Sequence, residues 1–564
     1  MKKQLILIFI STFLFSNFLF ASEDINEQRP QYTLLAWNDL GMHCMDGKDF
    51  SIFSILPPYN TINAQLIRKA DKLNKDDTFE KHVTSGVTIS YRASESLDER
   101  FNTTSLLDTN KKQKTNFWDY SKKIFNTDLE PDVGLTGNHT PDKKLRNFIY
   151  DKEHNWWEAS GLPISPYDDD GTKNYYPMVD VIAKDLQGNI LASTKIVLPV
   201  SDEMDCKACH GSKSNYEDAM PRAGWVNEID EEKDFKLNIL KLHDEEHPKA
   251  VLDNLEALKK AGYHGYDTAG LYETTQKGNP ILCATCHASN ALPGMGIEGI
   301  KPLTQSLHAL HFDVDDPRNG EMLGSSTNRT SCYLCHPGEE TACLRGAMGK
   351  QDNIQCQSCH GGMEAVGSHK RDGWLNEPDC QSCHQEGKRH TKAVTDETTG
   401  TLRAALDKRF ATNANTPMKH TSLYRFSKGH GDMKCSACHG STHAIYPSKL
   451  PEDNIQSIVV QGHEGTIAEC RACHESTPKT NNKGPHGMHS VGDRWVLAHG
   501  DVAKKDNTDC KSCHGEDYKG SFLSKTFSKR TFNTRKFGKK EFKTGHKVSC
   551  YDCHKGPKGP KKER

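Results

Sequence analysis

The residues whose type and spacing could do chemistry are paired cysteines, each pair followed at once by a histidine. This Cys-x-x-Cys-His unit occurs nine times in a chain holding 20 cysteines and 28 histidines. The units are Cys206, Cys209 and His210; Cys283, Cys286 and His287; Cys332, Cys335 and His336; Cys356, Cys359 and His360; Cys380, Cys383 and His384; Cys435, Cys438 and His439; Cys470, Cys473 and His474; Cys510, Cys513 and His514; and Cys550, Cys553 and His554. Two thiols at this spacing suit attachment to the two vinyl groups of one porphyrin, with the adjoining imidazole on its iron. Zinc competes for such pairs, but it places no demand on the residue after the second cysteine, where histidine stands every time. Disulfides are a third reading in an oxidising compartment, and they leave the histidine without a role. The pattern therefore predicts nine c-type haems.

Nineteen histidines remain as second axial ligands. Their placement near the units selects His43, His264, His308, His311, His369, His390, His420, His430, His443, His463, His486, His489, His499 and His546. His82, His139, His154, His243 and His247 read as ordinary surface or structural histidines. Two imidazoles per iron leave no position for substrate and suit electron transfer. The units starting at 332, 356 and 380 are 24 residues apart, too close for each to have its own domain, so their cofactors are expected to share walls.

Other groups are less specific. Cys44 and Cys343 lie outside the units; one disulfide between them, two free thiols, or ligands are the alternatives. Met42, His43, Cys44 and Met45 place four soft donors together, read either as a turn supplying His43 or as a separate metal site. The acidic runs 168–171 and 313–316 are weak calcium candidates, since neither has the full register of a calcium loop. HDEEH at 243–247 lacks the glutamate a zinc protease helix requires, because Asp244 follows the first histidine.

The elements that must position these groups fall into parts. Residues 1–21 read as a signal peptide: Lys2 and Lys3, an apolar run from Leu5 to Phe20, then Ala21 and Ser22. Residues 22–200 form an expected mainly β domain without haem motifs, from β-rich runs at 32–37, 86–92, 176–185 and 190–200. Residues 201–520 carry eight units and are expected to form a multihaem domain of low secondary structure, partly α-helical, with a helix over 246–261. Residues 521–564 form a basic segment with the ninth unit. From Lys525 to Arg564 fourteen Lys/Arg face three acidic residues, and Phe522, Phe527, Phe532, Phe537 and Phe542 recur at intervals of five. That period fits neither a helix stripe nor a strand. The segment reads as a wrap on the chain's own acidic body, or as a docking surface for an acidic redox partner, a cell-surface polymer or a mineral.

Composition agrees with a cofactor-filled interior. Only 35% of residues are hydrophobic and mean hydropathy is −0.73, which is poor for a core at this length. The net charge of −2 offers no general basic field for nucleic acid. No apolar run beyond the leader is long enough to span a membrane.

The nine units make the chain similar to the multihaem c-type cytochromes of respiratory and extracellular electron transfer. The opening LLAWNDLGMHCMDG (34–47) with ILPPYNT (55–61) resembles the front region of one group of large multihaem cytochromes. The resemblance implies a carrier in the periplasm, on the outer cell surface or outside the cell. It implies other redox proteins or an extracellular acceptor as partners, and a homo-oligomer or filament as a further state. The catalytic alternative is an oxidoreductase with one open haem acting on a small nitrogen or sulfur compound. No CxxCK unit, the mark of ammonia-forming nitrite reductases, is present.

Overall fold

The computed structural model describes residues 31–557 apart from short stretches, the longest being 71–80, 372–383, 403–423 and 477–488. Strand β1 (Tyr32–Asn38) alternates its side chains between two cores, as strand geometry dictates. Leu34 and Ala36 enter the main core, while Leu35 and Trp37 enter a second cluster with Ile67, Trp156 and Ala437. This sheet is therefore covered on both faces.

The short strands β2 (His43–Cys44) and β3 (Phe53–Ser54) follow. Strands β4 (Tyr59–Arg68), β5 (Lys81–His82), β6 (Val87–Ala93), β7 (Arg146–Asn147), β8 (Ile149–Asp151) and β9 (Trp156–Pro163) come next. Then come β10 (Met178–Asp185), β11 (Ile190–Val197) and β12 (Val200–Ser201). One antiparallel sheet has the order β1-β4-β9-β8 with β5 on β4, and the other β11-β10-β6-β7. Ile62 and Leu66 of the first and Ile89, Val179 and Val181 of the second meet in one core.

That core does not stop at residue 200. It takes in Phe235, Leu237, Leu240, Leu258, Leu271 and Ala284. Strand β13 (Ile281–Leu282) pairs in parallel with β3, so the unit at 283–287 begins where a sheet ladder ends. The expectation of little regular structure after 201 is corrected. Helix α1 (Phe117–Phe125) lies in the front part, and helices α2 (Glu231–Glu246), α3 (Ala250–Lys260), α4 (Leu271–Gln276), α5 (Leu303–Leu310), α6 (Ile455–Gln461) and α7 (Asp493–Lys505) lie after 201. So does a hairpin of β14 (Arg530–Thr534) and β15 (Gly538–Phe542). The chain combines organised sheets with helices throughout its length.

Helix α2 escaped its sequence pattern because polar groups share its buried side. Asp234 accepts from the backbone N–H and hydroxyl of Ser212, and Lys236 reaches Glu232 and the Asp49 carbonyl. The helix expected over 246–261 is broken by Pro248, which disfavours helical backbone at His247. The five-residue phenylalanine period belongs to the hairpin. Phe532 and Phe542 meet across its strands at 5.8 Å and Phe537 sits in the turn; Phe522 and Phe527 lie outside the described residues.

The segment 424–474 is stitched to the front sheet. The Gln456 side-chain oxygen accepts from the Ala36 N–H at 2.7 Å, Gln65 accepts from the Lys434 N–H, and the Thr33 hydroxyl donates to the Ala472 carbonyl. Arg345 donates to both carboxylate oxygens of Asp453 and to the Gly41 carbonyl. Removing one partner of a buried ion pair leaves the other charge uncompensated. Arg345→Met should lower the unfolding free energy by about 3–5 kcal/mol in denaturant titration, whereas exposed Lys122→Met should leave it within about 0.5 kcal/mol.

Candidate functional site

Each described Cys-x-x-Cys-His unit closes a single helical turn. The His N–H donates to the first Cys carbonyl at 2.8–3.0 Å in the units at 206, 283, 332, 470 and 550. Residues three and four apart share a helix face, so both sulfurs and the imidazole point the same way.

They point into one continuous cavity of about 3590 Å³. Sixteen motif cysteines line it, from Cys206 to Cys553; Cys380 and Cys383 lie outside the described residues. An ordinary small-molecule site is roughly 300–1,000 Å³, so this space suits several large ligands in contact.

Within it, seven motif imidazoles each face one imidazole from elsewhere. The pairs, with ring-centre separations, are His210–His311 at 6.2 Å, His287–His243 at 6.5 Å, His336–His308 at 6.0 Å and His360–His443 at 6.1 Å. The others are His474–His430 at 5.8 Å, His514–His489 at 6.2 Å and His554–His499 at 5.8 Å. A metal midway between two imidazole nitrogens, about 2.0–2.1 Å from each, sets ring centres roughly 6 Å apart.

The rings are also oriented. The Nδ1 of His287, His308, His311, His499 and His514 lies 2.7–2.9 Å from the carbonyl of Lys301, Thr304, Leu307, Val496 and Val548, respectively. An Nδ1–H given to a carbonyl leaves the Nε2 lone pair free for a ligand bond. Burial holds His210, His243 and His336 down to about 4 and His360 to about 3, so each is neutral at pH 7 and able to bind metal. Burial also pushes the thiols of Cys206, Cys283 and Cys438 up to about 12, and those of Cys209 and Cys435 to about 11. Zinc needs thiolates, which these surroundings oppose; a thioether carries no charge and tolerates them. Cys356 is the exception, held down to about 6 by the hydrogen bond from Cys332. The units at 332 and 356 thus touch through their sulfurs.

Several site expectations are corrected. Among the described residues, no group of three or more His, Cys, Asp or Glu could hold a metal ion. This overturns the calcium candidates. The protein fills the acidic runs with its own cations: buried Lys114 lies 2.8 Å from Asp169, and Arg318 clamps Asp316. The uniform set of nine iron sites is likewise not what the described residues display; they display seven imidazole pairs, an arrangement that a three-ligand group does not describe.

The structure places the distal candidates in different surroundings. His243, set aside from its sequence position, faces His287, while His264 is exposed. Its place on buried helix α2 was the missing signal. His369 is exposed. His463 is engaged with Glu469 and Arg530, and His546 with Asp552 and the Phe542 ring. His43 packs on Tyr59 at 4.9 Å rather than on a motif histidine. His439 lines the cavity with Nδ1 3.5 Å from the Thr466 hydroxyl. His390, His420 and His486, with the His384 side chain, lie outside the described residues. Cys44 and Cys343 are free thiols, and the Cys343 sulfur lies 3.7 Å from His443 Nδ1.

Comparison with known proteins yields no matching family model, no similar curated protein and no similar solved structure. The resemblance to multihaem cytochromes is corrected accordingly: it rests on the repeated units, and the chain is not placed in an established cytochrome family. No helix among the described residues is long and apolar enough to cross a membrane.

Burial lowers His43 to about 4, against about 6.5 in the unfolded chain. Below pH 6.5 the unfolded state binds the extra proton, so stability falls as pH drops from 6.5 toward 4. Wild type should lose about 2 kcal/mol more than His43→Gln between pH 7 and pH 5, read from urea unfolding at both values.

Proposed function

We propose that the imidazole pairs are grips for iron porphyrins, each fixed by the two sulfurs of its unit, and that the cavity carries electrons along the row. The observation that carries this reading is the pairing itself: seven times, one motif imidazole faces one partner at the separation that a shared metal requires. A porphyrin iron draws four of its six ligands from the ring. The protein then owes two imidazoles per site, which accounts for pairs where no larger donor group forms.

When bound, such a group supplies a reversible one-electron change at iron. The chain's residues do the rest. The two imidazoles of each pair would hold the metal between them and leave it no open position for substrate. Carbonyls at 301, 304, 307, 496 and 548 fix the ring orientations. The contact of Cys332 with Cys356 brings neighbouring attachment points together, as transfer over short distances requires. An exported location is the reading that the leader at 1–21 supports.

The test is purification from a host that matures c-type cytochromes. The expected product carries covalent porphyrin mass and the sharp reduced-state bands of low-spin iron. His311→Ala should convert one centre to high spin by electron paramagnetic resonance and leave the others unchanged. A wild-type product with the mass of its amino acids alone would refute the proposal.

A further inference from the structure

The terminal imidazole pair lies beneath a small surface unlike the rest of the chain. His554 is exposed, and the Phe537 ring, itself 42% exposed, stands edge-on to it at 5.1 Å. Tyr551, in the turn that carries His554, is 46% exposed. The hairpin that carries Phe537 also bears Arg535, Lys536, Lys539 and Lys540, with Lys543 just beyond it. Lys529 pairs with Glu541 and Arg530 with Glu469, but among the described residues those five cations have no ion pair.

The hairpin is not a loose tail. Its strands pair over five residues, Thr534 accepts from the Phe537 N–H and donates to the Gly538 carbonyl, and Asp493 at the start of α7 accepts from the Asn533 N–H. Helix α7 carries His499, the partner of His554. Surface and imidazole pair are therefore held together.

We propose that this basic hairpin is the docking face for an acidic redox protein, with the carboxylates of that protein meeting Arg535, Lys536, Lys539, Lys540 and Lys543 around a Phe537 contact. Charge complementarity selects the occupant, in a chain whose overall net charge is −2. The exposed aromatics favour a protein over a bare anionic polymer, since aromatic residues and arginine are enriched at the centres of protein interfaces. That the partner exchanges electrons rests on the function proposed above; that it is acidic rests on the hairpin alone.

The test uses the full-length protein and flavodoxin, a small acidic flavoprotein, as probe. Binding is measured by titration calorimetry at low and at 0.5 M salt, and reduction by flavodoxin hydroquinone is followed by stopped flow. The expected result is binding that weakens at least tenfold with salt and at least tenfold again in Lys536→Glu/Lys540→Glu. Phe537→Ala should weaken binding with little change in salt dependence. Retained low-spin bands and unchanged reduction by dithionite would show each variant to be intact; if the double reversal fails to fold, Lys536→Gln/Lys540→Gln replaces it, with a smaller loss expected. Equal affinity of wild type and intact variant for flavodoxin would overturn the docking face, and so would a charge-dependent loss confined to retention on heparin, which would assign the hairpin to a polymer. Absence of porphyrin bands from wild type would instead overturn the function proposed above, and leaves the binding arm standing.

Discussion

Everything else in the structure depends on holding pairs of imidazoles about 6 Å apart across a space that side chains do not fill. Such a pair is too far apart for contact and too regular for chance, because one member always comes from a Cys-x-x-Cys-His turn. The space between is lined by apolar groups and neutral sulfurs. The lining therefore suits large, largely apolar occupants better than a packed protein interior.

The β sheets supply the rigidity this arrangement needs. Single-turn motif helices have little stability alone, since helix nucleation is costly. They gain it by being fastened to longer elements: the unit at 283–287 follows β13, that at 435–439 lies on the outer face of β1, and that at 470–474 is tied to Thr33. Covering both faces of the first sheet lets one scaffold position units far apart in sequence.

How much of this was legible varies with the kind of signal. The motif residues were fully visible, because a fixed spacing repeated nine times is itself a property of the sequence. The β-rich runs at 32–37 and 176–185 were visible as well. Helix α2 was hidden because Asp234, Lys236 and Asn238 are buried with satisfied polar groups, which erases the apolar stripe. The same concealment removed His243 from view, since distance along the chain to the nearest unit says nothing about a helix that folds back over it. His546 shows the converse: four residues before a unit, yet bonded to Asp552. The acidic runs misled because sequence shows carboxylates and not the lysine or arginine that neutralises them.

The imidazoles are not equivalent. His287, His308, His311, His499 and His514 have Nδ1 at a carbonyl, whereas the buried Nδ1 atoms of His210 and His243 have no hydrogen-bond partner. A ring whose N–H is given to a carbonyl is the more basic ligand and better supports the oxidised metal. In the 499/554 pair, a carbonyl-bonded imidazole stands beside an exposed one. In the 210/311 pair, His311 has such a bond and, among the described residues, the buried Nδ1 of His210 has none. Backbone carbonyls and depth, set by the fold rather than by the repeated unit, thus differentiate sites that the sequence writes in identical terms.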